Sequence, residues 1–272
     1  MESSCKNSVS TKYNVTMKAI TPSVIFEDEA LLILDKPANW LTVPGRFPQG
    51  HAVVKDLKTW ADQRYKSVYS VHRLDRGTSG VVVFAKDAKS HRDLSLQFQH
   101  RSVGKTYHAF VHGFPKQAKG YIDFRIGEIS SKGNIYKIDS KGQKAHTDYH
   151  CLARYGQISL IAFQPKTGRS HQIRVHAQSL GTPLLVDDLY GPKDSFYLSS
   201  VKANYKGKLD ERPFIQRLTL HAYSITLCHP ITSNTVTITA SWPKDFRALH
   251  RQLKNHCPFQ ELEEGVDGYA KT

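Results

Sequence analysis

His72-Arg73-Leu74-Asp75-Arg76-Gly77-Thr78-Ser79-Gly80 runs without interruption into Val81-Val82-Val83-Phe84-Ala85. The second half is a β-branched run directly after a glycine, the pattern of a central strand buried on both faces. The first half crowds His72, Arg73, Asp75, Arg76, Thr78 and Ser79 between residues that allow tight turns, so a charged loop feeds straight into the core. Asp75 is an acid among cations. Arg73 and Arg76 are expected to favour its ionised form, which suits a nucleophile or base working on a polyanion. The same residues read equally well as an Asp-Arg ion pair and a Ser/Thr turn that brace the loop. Two other motifs are excluded. His-Arg-Leu-Asp departs from a kinase catalytic loop by its inserted Leu74 and by the missing downstream Asn and Asp-Phe-Gly, and Gly77 to Gly80 leads into a strand instead of the helix N-terminus that a phosphate cradle needs.

Around this strand the chain alternates short extended runs with a few helices. Val24-Ile25-Phe26 and Leu31-Leu32-Ile33-Leu34 predict a hairpin, with Lys36-Pro37 ending its second strand. Residues 42 to 51 read as a loop and Val54 to Tyr65 as a helix, while Asp87 caps a helix over about 88 to 100. Strands follow at 105 to 112, 120 to 126, 145 to 154 and 157 to 164. A helix over 169 to 180 places Ile173, Ala177 and Leu180 on an apolar stripe and His171, Arg174 and Gln178 on a polar one, with Gly181 as its stop. Leu220 to Thr226 and Thr235 to Ala240 are the last strands expected. The pattern predicts a mixed α+β fold around a largely antiparallel central sheet with flanking helices and loops. Residues 1 to 20 are polar and aperiodic and read as a flexible tail, 21 to 243 as the main domain, and 244 to 272 as a C-terminal helical segment and tail.

The 272 residues carry a net charge of +14, which favours a polyanionic partner, nucleic acid first, over a protein merely dispersed by its charge. The four cysteines, Cys5, Cys151, Cys228 and Cys257, are far apart and suggest neither a disulfide framework nor a zinc ribbon. With no apolar run of membrane-spanning or signal-peptide length, the sequence reads as that of a cytoplasmic protein without membrane contact. The histidines fall on different strands and helix faces, which predicts no metal site.

A second dense cluster is Pro165-Lys166-Thr167-Gly168-Arg169-Ser170-His171-Gln172-Ile173-Arg174-Val175-His176. Arg174 and Gln178 lie on a polar helix face that could meet phosphates, a carboxylate, or only solvent. Tyr107, on the strand Lys105 to His112, shares a direction with Ala109 and Val111; it is either a core residue or a ring on which a displaced base stacks.

Taken together and in this order, these segments resemble the RluA-type family of RNA pseudouridine synthases. The residues that carry the resemblance are Phe26-Glu27-Asp28-Glu29, Ile33 to Pro37, His72 to Gly80, Tyr107-His108-Ala109, Gly168 to His176, Leu220-His221-Ala222 and His229-Pro230. The resemblance implies the pseudouridine synthase fold and isomerisation of uridines in structured RNA, ribosomal or transfer, without cofactor or metal. It implies Asp75 as the catalytic carboxylate, Tyr107 as the base-stacking ring and Arg174 as the partner of the aspartate. It further implies Leu220 as the wall against the base and Arg73 as the group that enters the RNA stack in place of the flipped nucleotide. His72, Thr78, Arg169 and Gln172 are expected to bind substrate from the same two clusters, and the protein is expected to act as a monomer. Gly77 and Val186 depart from the family, which commonly has an acidic residue and a glycine there. The competing readings are a non-catalytic RNA-binding or assembly protein of the same fold, and a metal-dependent nuclease, for which the carboxylate cluster is missing.

Overall fold

The computed structural model describes residues 21–45, 54–131, 133–192, 195–202, 205–207, 211–263, 265–266 and 269. The expected N-terminal tail, residues 46–51 of the expected loop at 42–51 and parts of the segment 192–213 lie outside these residues.

Among the described residues one sheet of 11 strands organises the chain. Its strands are β1 (Ser23–Glu27), β2 (Leu31–Lys36), β3 (Tyr69–Ser70), β4 (Ser79–Ala85), β5 (Gly104–His112), β6 (Lys119–Asp123), β9 (His146–Tyr155), β10 (Ile158–Pro165), β11 (Leu220–Cys228), β12 (Thr235–Thr239) and β13 (Phe259–Glu261). A separate ribbon pairs β7 (Ile126–Glu128) with β8 (Tyr136–Ile138). The order across the main sheet is β1-β2-β4-β11-β5-β10-β9-β13, with β3 beside β4, β12 beside β11 and β6 beside β9. The pairings are antiparallel except between β4 and β11, where His221 stands opposite Ser79 and Ala222 opposite Gly80.

Strand β4 explains this arrangement. All seven of its residues are buried. Val81, Val83 and Ala85 face one apolar cluster with Leu94 of α2 (Ala88–Gln99), while Val82 and Phe84 face another with Leu57 and Ala61 of α1 (Leu57–Tyr65). A continuous apolar run is what a strand covered on both sides requires. Strand β5 divides its side chains likewise. Phe110 packs with Phe246, Leu249 and Leu253 of α4 (Lys244–His256), whereas Ala109 and Val111 pack with Ile173 and Ala177 of α3 (Gln172–Ser179). Helices α1 and α3 therefore cover one face and α2 and α4 the other. Gly80 permits the close approach of β4 to β11: its φ is +111°, and a Cβ there would lie 2.2 Å from Ala222 O.

Several expectations shift. Helix α1 starts at Leu57 instead of Val54, because the Asp56 carboxylate accepts the Thr59 N–H at 2.8 Å and caps it there. Helix α3 starts at Gln172, because His171 before it adopts the left-handed conformation with φ 54°. Strands β7, β8 and β13, three residues each, went unpredicted. Helix α4 begins at Lys244 and packs into the main cluster, and β13 adds an edge strand to β9.

Candidate active site

Three segments converge where β4 and β11 begin, on the α1/α3 face of the sheet. They are the loop from β3 to β4, the start of β11 with the neighbouring Tyr107 of β5, and the turn from β10 into α3. They enclose a cleft of about 110 Å³ lined by Arg73, Leu74, Asp75, Thr78, Lys105, Tyr107, Pro165, Thr167, Gly168, Arg169, His171, Gln172, Ile173, Arg174 and Leu220.

The backbone around Asp75 is tied down on both sides. Leu74, 6% exposed, inserts into the α1 cluster. Its N–H donates to Thr42 Oγ1 at 3.0 Å, and that hydroxyl donates back to Leu74 O at 3.2 Å. Beyond the acid, Thr78 N–H donates to Asp75 O at 3.0 Å, and Arg76 O accepts from Asn39 N–H at 2.8 Å and from Lys36 Nζ at 3.1 Å. Lys36 is fully buried and also donates to Pro37 O and Trp40 O at 3.1 and 2.6 Å, so one ammonium gathers three carbonyls beneath the loop. Burial pulls its pKa down to about 7 against the opposing pull of Asp75. The carboxylate of Asp75, half-buried, accepts no hydrogen bond from the described residues. Neither Arg73 nor Arg76 forms an ion pair with it; carbonyl acceptors and Thr42 hold the loop instead, and both arginines are exposed.

Tyr107 and Leu220 form the apolar side of the cleft. Tyr107 packs between the α1 and α3 clusters, and burial, reinforced by the charge of Asp75, pushes its phenol upward so that it stays protonated. Leu220 is 3% exposed. Thr78, also buried, leaves its Oγ1 without a hydrogen-bond partner among the described residues. Gly77 lies where a Cβ would come within 3.0 Å of the Leu218 side chain, so Leu218 fills the space that a larger residue would need.

Other expected residues have different partners. Arg174 does not bond to Asp75. Its Nε donates to Asp187 Oδ2 at 2.8 Å and its Nη2 to Asp187 Oδ1 and Asp188 Oδ1, because the wholly buried Asp187 carboxylate needs a counter-charge. Burial works against the guanidinium, but Asp187, with help from Asp75 and Asp188, holds its pKa up. Gln172 is 4% exposed and turned inward: its oxygen accepts from Thr167 Oγ1 and Arg169 N–H, and its amide donates to His146 O and Thr147 Oγ1. His72 does not line the cleft. It lies on the α2 side, stacked on Phe98 at 4.8 Å, with Nε2 accepting the Val83 N–H; burial, then Lys105, lowers its pKa to about 3. Arg169 stays near the surface, its Nε on Lys144 O at 3.1 Å, and joins the cleft to a second hollow of about 310 Å³ under the β7-β8 ribbon.

His171 and Lys105 line the cleft but stood outside the residues expected there. His171 Nε2 lies 4.0 Å from Asp75 Oδ2. The sequence reading places His171 only on the polar stripe of a helix from 169, which assigns it no role of its own; the helix instead begins after it.

With this geometry in view, the comparisons with known proteins agree. Residues 30–179 match the family model described as RNA pseudouridylate synthase. The chain is 34% identical over 243 residues to the tRNA pseudouridine synthase C of Yersinia pestis, covering 85% of this chain and 90% of that protein. It is 33% identical over 213 residues to the dual-specificity RNA pseudouridine synthase RluA of Vibrio vulnificus, covering 76% and 78%. The fold is that of human RNA pseudouridylate synthase domain containing 1, with a TM-score of 0.66, 24% identity and coverage of 94% and 98%. No helix among the described residues is long and apolar enough to cross a membrane. The chain belongs to the RluA-type RNA pseudouridylate synthases, enzymes that isomerise uridine to pseudouridine in RNA.

Proposed function

We propose that this protein acts in the cytoplasm, as a monomer, on a uridine in structured ribosomal or transfer RNA, with Asp75 as the reacting carboxylate. The observation that carries the reading is the contrast at Asp75 between a backbone pinned on both sides and a carboxylate that accepts no hydrogen bond from the described residues. Such a group is aimed without being neutralised.

The target base must first leave its stack, at a cost of a few kcal/mol that stacking on Tyr107 offsets in part. Arg73, exposed at the mouth of the cleft, fills the gap left in the RNA. Leu220 closes the far side of the base, the unpartnered Thr78 hydroxyl is free to hydrogen-bond it, and Arg169 meets the backbone phosphate. In the first route an Asp75 oxygen attacks C1′ as the N1 to C1′ bond breaks, giving a ribosyl ester and a uracil anion. The uracil turns, C5 attacks C1′, and the ester oxygen departs as carboxylate; the C5 proton is then lost and N1 takes up a proton. In the second route Asp75 removes the 2′ proton as the N1 to C1′ bond breaks, giving a glycal and a uracil anion; the turned uracil adds through C5 to C1′ while the carboxylic acid returns the proton to C2′, after which the C5 proton is lost and N1 takes one up. Either way atoms are only rearranged, so neither a cofactor nor a metal is required by the chemistry.

The test is to incubate the purified protein with RNA from a strain lacking its gene and to map pseudouridine. New pseudouridine is expected at one or a few sites with wild type and none with Asp75→Asn; equal modification by the variant overturns the assignment. A substrate deuterated at C2′ separates the routes, since only removal of the 2′ proton gives a primary isotope effect.

A further inference from the structure

Behind the cleft three polar groups form a chain whose direction follows from donors and acceptors alone. The Tyr136 main-chain N–H donates to Tyr190 Oη at 2.8 Å. That oxygen lies 2.9 Å from His171 Nδ1, and Tyr190 is 5% exposed. If Nδ1 also donated to it, the phenolic proton would be buried with no acceptor among the described residues, at a cost of about 1–3 kcal/mol. Tyr190 therefore donates to Nδ1, and the proton of a neutral His171 sits on Nε2. Nε2 is the nitrogen that faces Asp75. The ring is held on edge against Tyr136 and Tyr190, at 5.3 and 5.6 Å, and the left-handed backbone of His171 sets it between them and the cleft. A non-glycine residue in that conformation costs about 1–2 kcal/mol, which the ring's contacts offset.

Of the other cations nearby, Arg174 serves Asp187 and Asp188, Lys36 serves three carbonyls and Arg169 donates to Lys144 O, while Lys105, Arg73 and Arg76 form no ion pair with the acid.

We propose that His171 is the positioning residue for the reacting carboxylate: its Nε2–H, oriented through Tyr190 by the Tyr136 backbone, closes on one Asp75 oxygen when the target nucleotide fills the cleft and leaves the other to react. The inference rests on Asp75 being the reacting group. The present separation exceeds a hydrogen bond by about 1 Å, a gap that a rotation of the half-buried aspartate side chain closes, as hydrogen bonds in empty active sites commonly tighten on binding.

Steady-state kinetics of the full chain on a modifiable RNA, with wild type and Asp75→Asn as references and a melting temperature for every variant, test it. His171→Ala is expected to lower kcat about 100-fold with KM changed by no more than about twofold, the signature of lost aim and not of lost binding. His171→Gln, which returns an N–H donor to the same place, is expected to recover at least about tenfold of that loss. Tyr190→Phe keeps the ring beside Arg174 and removes only the hydroxyl, and is expected to lower kcat about tenfold, as loss of an orienting partner does. Wild-type kcat in His171→Ala, a loss confined to KM, or no recovery in His171→Gln overturns the inference. If His171→Ala does not fold, the Gln and Phe variants decide: a wild-type kcat in Tyr190→Phe overturns it. An inactive wild type or an active Asp75→Asn strikes instead at the underlying assignment, so the two failures are distinguishable.

Discussion

The two walls of the cleft are built from equally polar sequence and use it in opposite ways. In the loop before β4 the backbone does the anchoring, through Thr42, Asn39 and Lys36, and the Asp75 carboxylate is left unspent. In the turn into α3 the side chains do the anchoring. Gln172 uses both ends of its amide, Arg174 is held by two aspartates, and His176 Nδ1 pairs with Thr147 Oγ1 at 2.9 Å. A dense polar motif thus marks a site without saying which of its members face the ligand; that depends on where their partners lie.

The comparison yields a ladder of effects on stability. The largest is expected at the joint itself. Gly80→Ala drives a Cβ into Ala222 O and imposes an unfavourable φ, so a loss of more than about 4 kcal/mol, or no soluble protein, is expected in urea denaturation. A variant as stable as wild type would show that β4 and β11 can separate freely.

Next comes Arg174→Met, which strands the buried Asp187 carboxylate. A loss of about 3–5 kcal/mol is expected, measured in the same way. A change below about 1 kcal/mol would mean that Arg174 is not structural and would restore it as a candidate partner for Asp75.

Acid gives a smaller effect. His72 and His221 are held near pKa 3 and 4 in the folded protein, chiefly by burial, against 6.5 for the free side chain. Because the folded state depresses both, the unfolded chain binds more protons between those values, and stability is lost as pH falls through 6.5. From pH 7.5 to 5.5 each histidine removes about 1.4 kcal/mol, about 3 together. Asp35, raised by burial to about 6, and the neighbouring Lys36, lowered by burial to about 7, act with opposite signs over this window and offset each other to within about 1 kcal/mol. Equilibrium unfolding at the two pH values measures the total, to which the buried His108 adds with the same sign, and His72→Gln is expected to reduce it by about 1.4 kcal/mol. An unchanged slope in that variant would place its ring in solvent.

The smallest change in stability belongs to Asp75→Asn. With no hydrogen bond from the described residues to lose, it is expected to unfold within about 0.5 kcal/mol of wild type while losing at least about 10⁴-fold in rate. A variant that was both inactive and unstable would show that the acid braces its loop after all.

Legibility in the sequence follows the same division. Strand β4 was readable because burial on both faces leaves an unbroken apolar run, and α2 because the Asp87 carboxylate caps it in place through Ser90 N–H at 2.9 Å. The inward turn of α3 was not. A polar stripe at helical spacing normally faces water, and nothing local announces that Thr147, 25 residues before Gln172, or Asp187, 13 residues after Arg174, waits inside. The left-handed His171 and the three-residue strands β7, β8 and β13 escaped because so short a stretch has no period to detect. The positions of Asp75, Tyr107 and Leu220 around one cleft came from family resemblance; periodicity alone does not bring together residues so far apart in the chain.

That distance has a consequence in time. Ser79 Oγ meets His221 Nδ1 at 3.0 Å across 142 residues, at the joint beside which Leu220 takes its place. On a ribosome adding about 5–20 residues each second, the Asp75 loop is made roughly 7 to 30 seconds before the strand that closes its cleft. Until then Asp75 stands without Leu220, the wall proposed for the base, and closing so long a loop is a slow event even once both ends exist. On the proposed site, a chain ending before β11 keeps the basic charge that favours RNA and lacks the wall a flipped base would need.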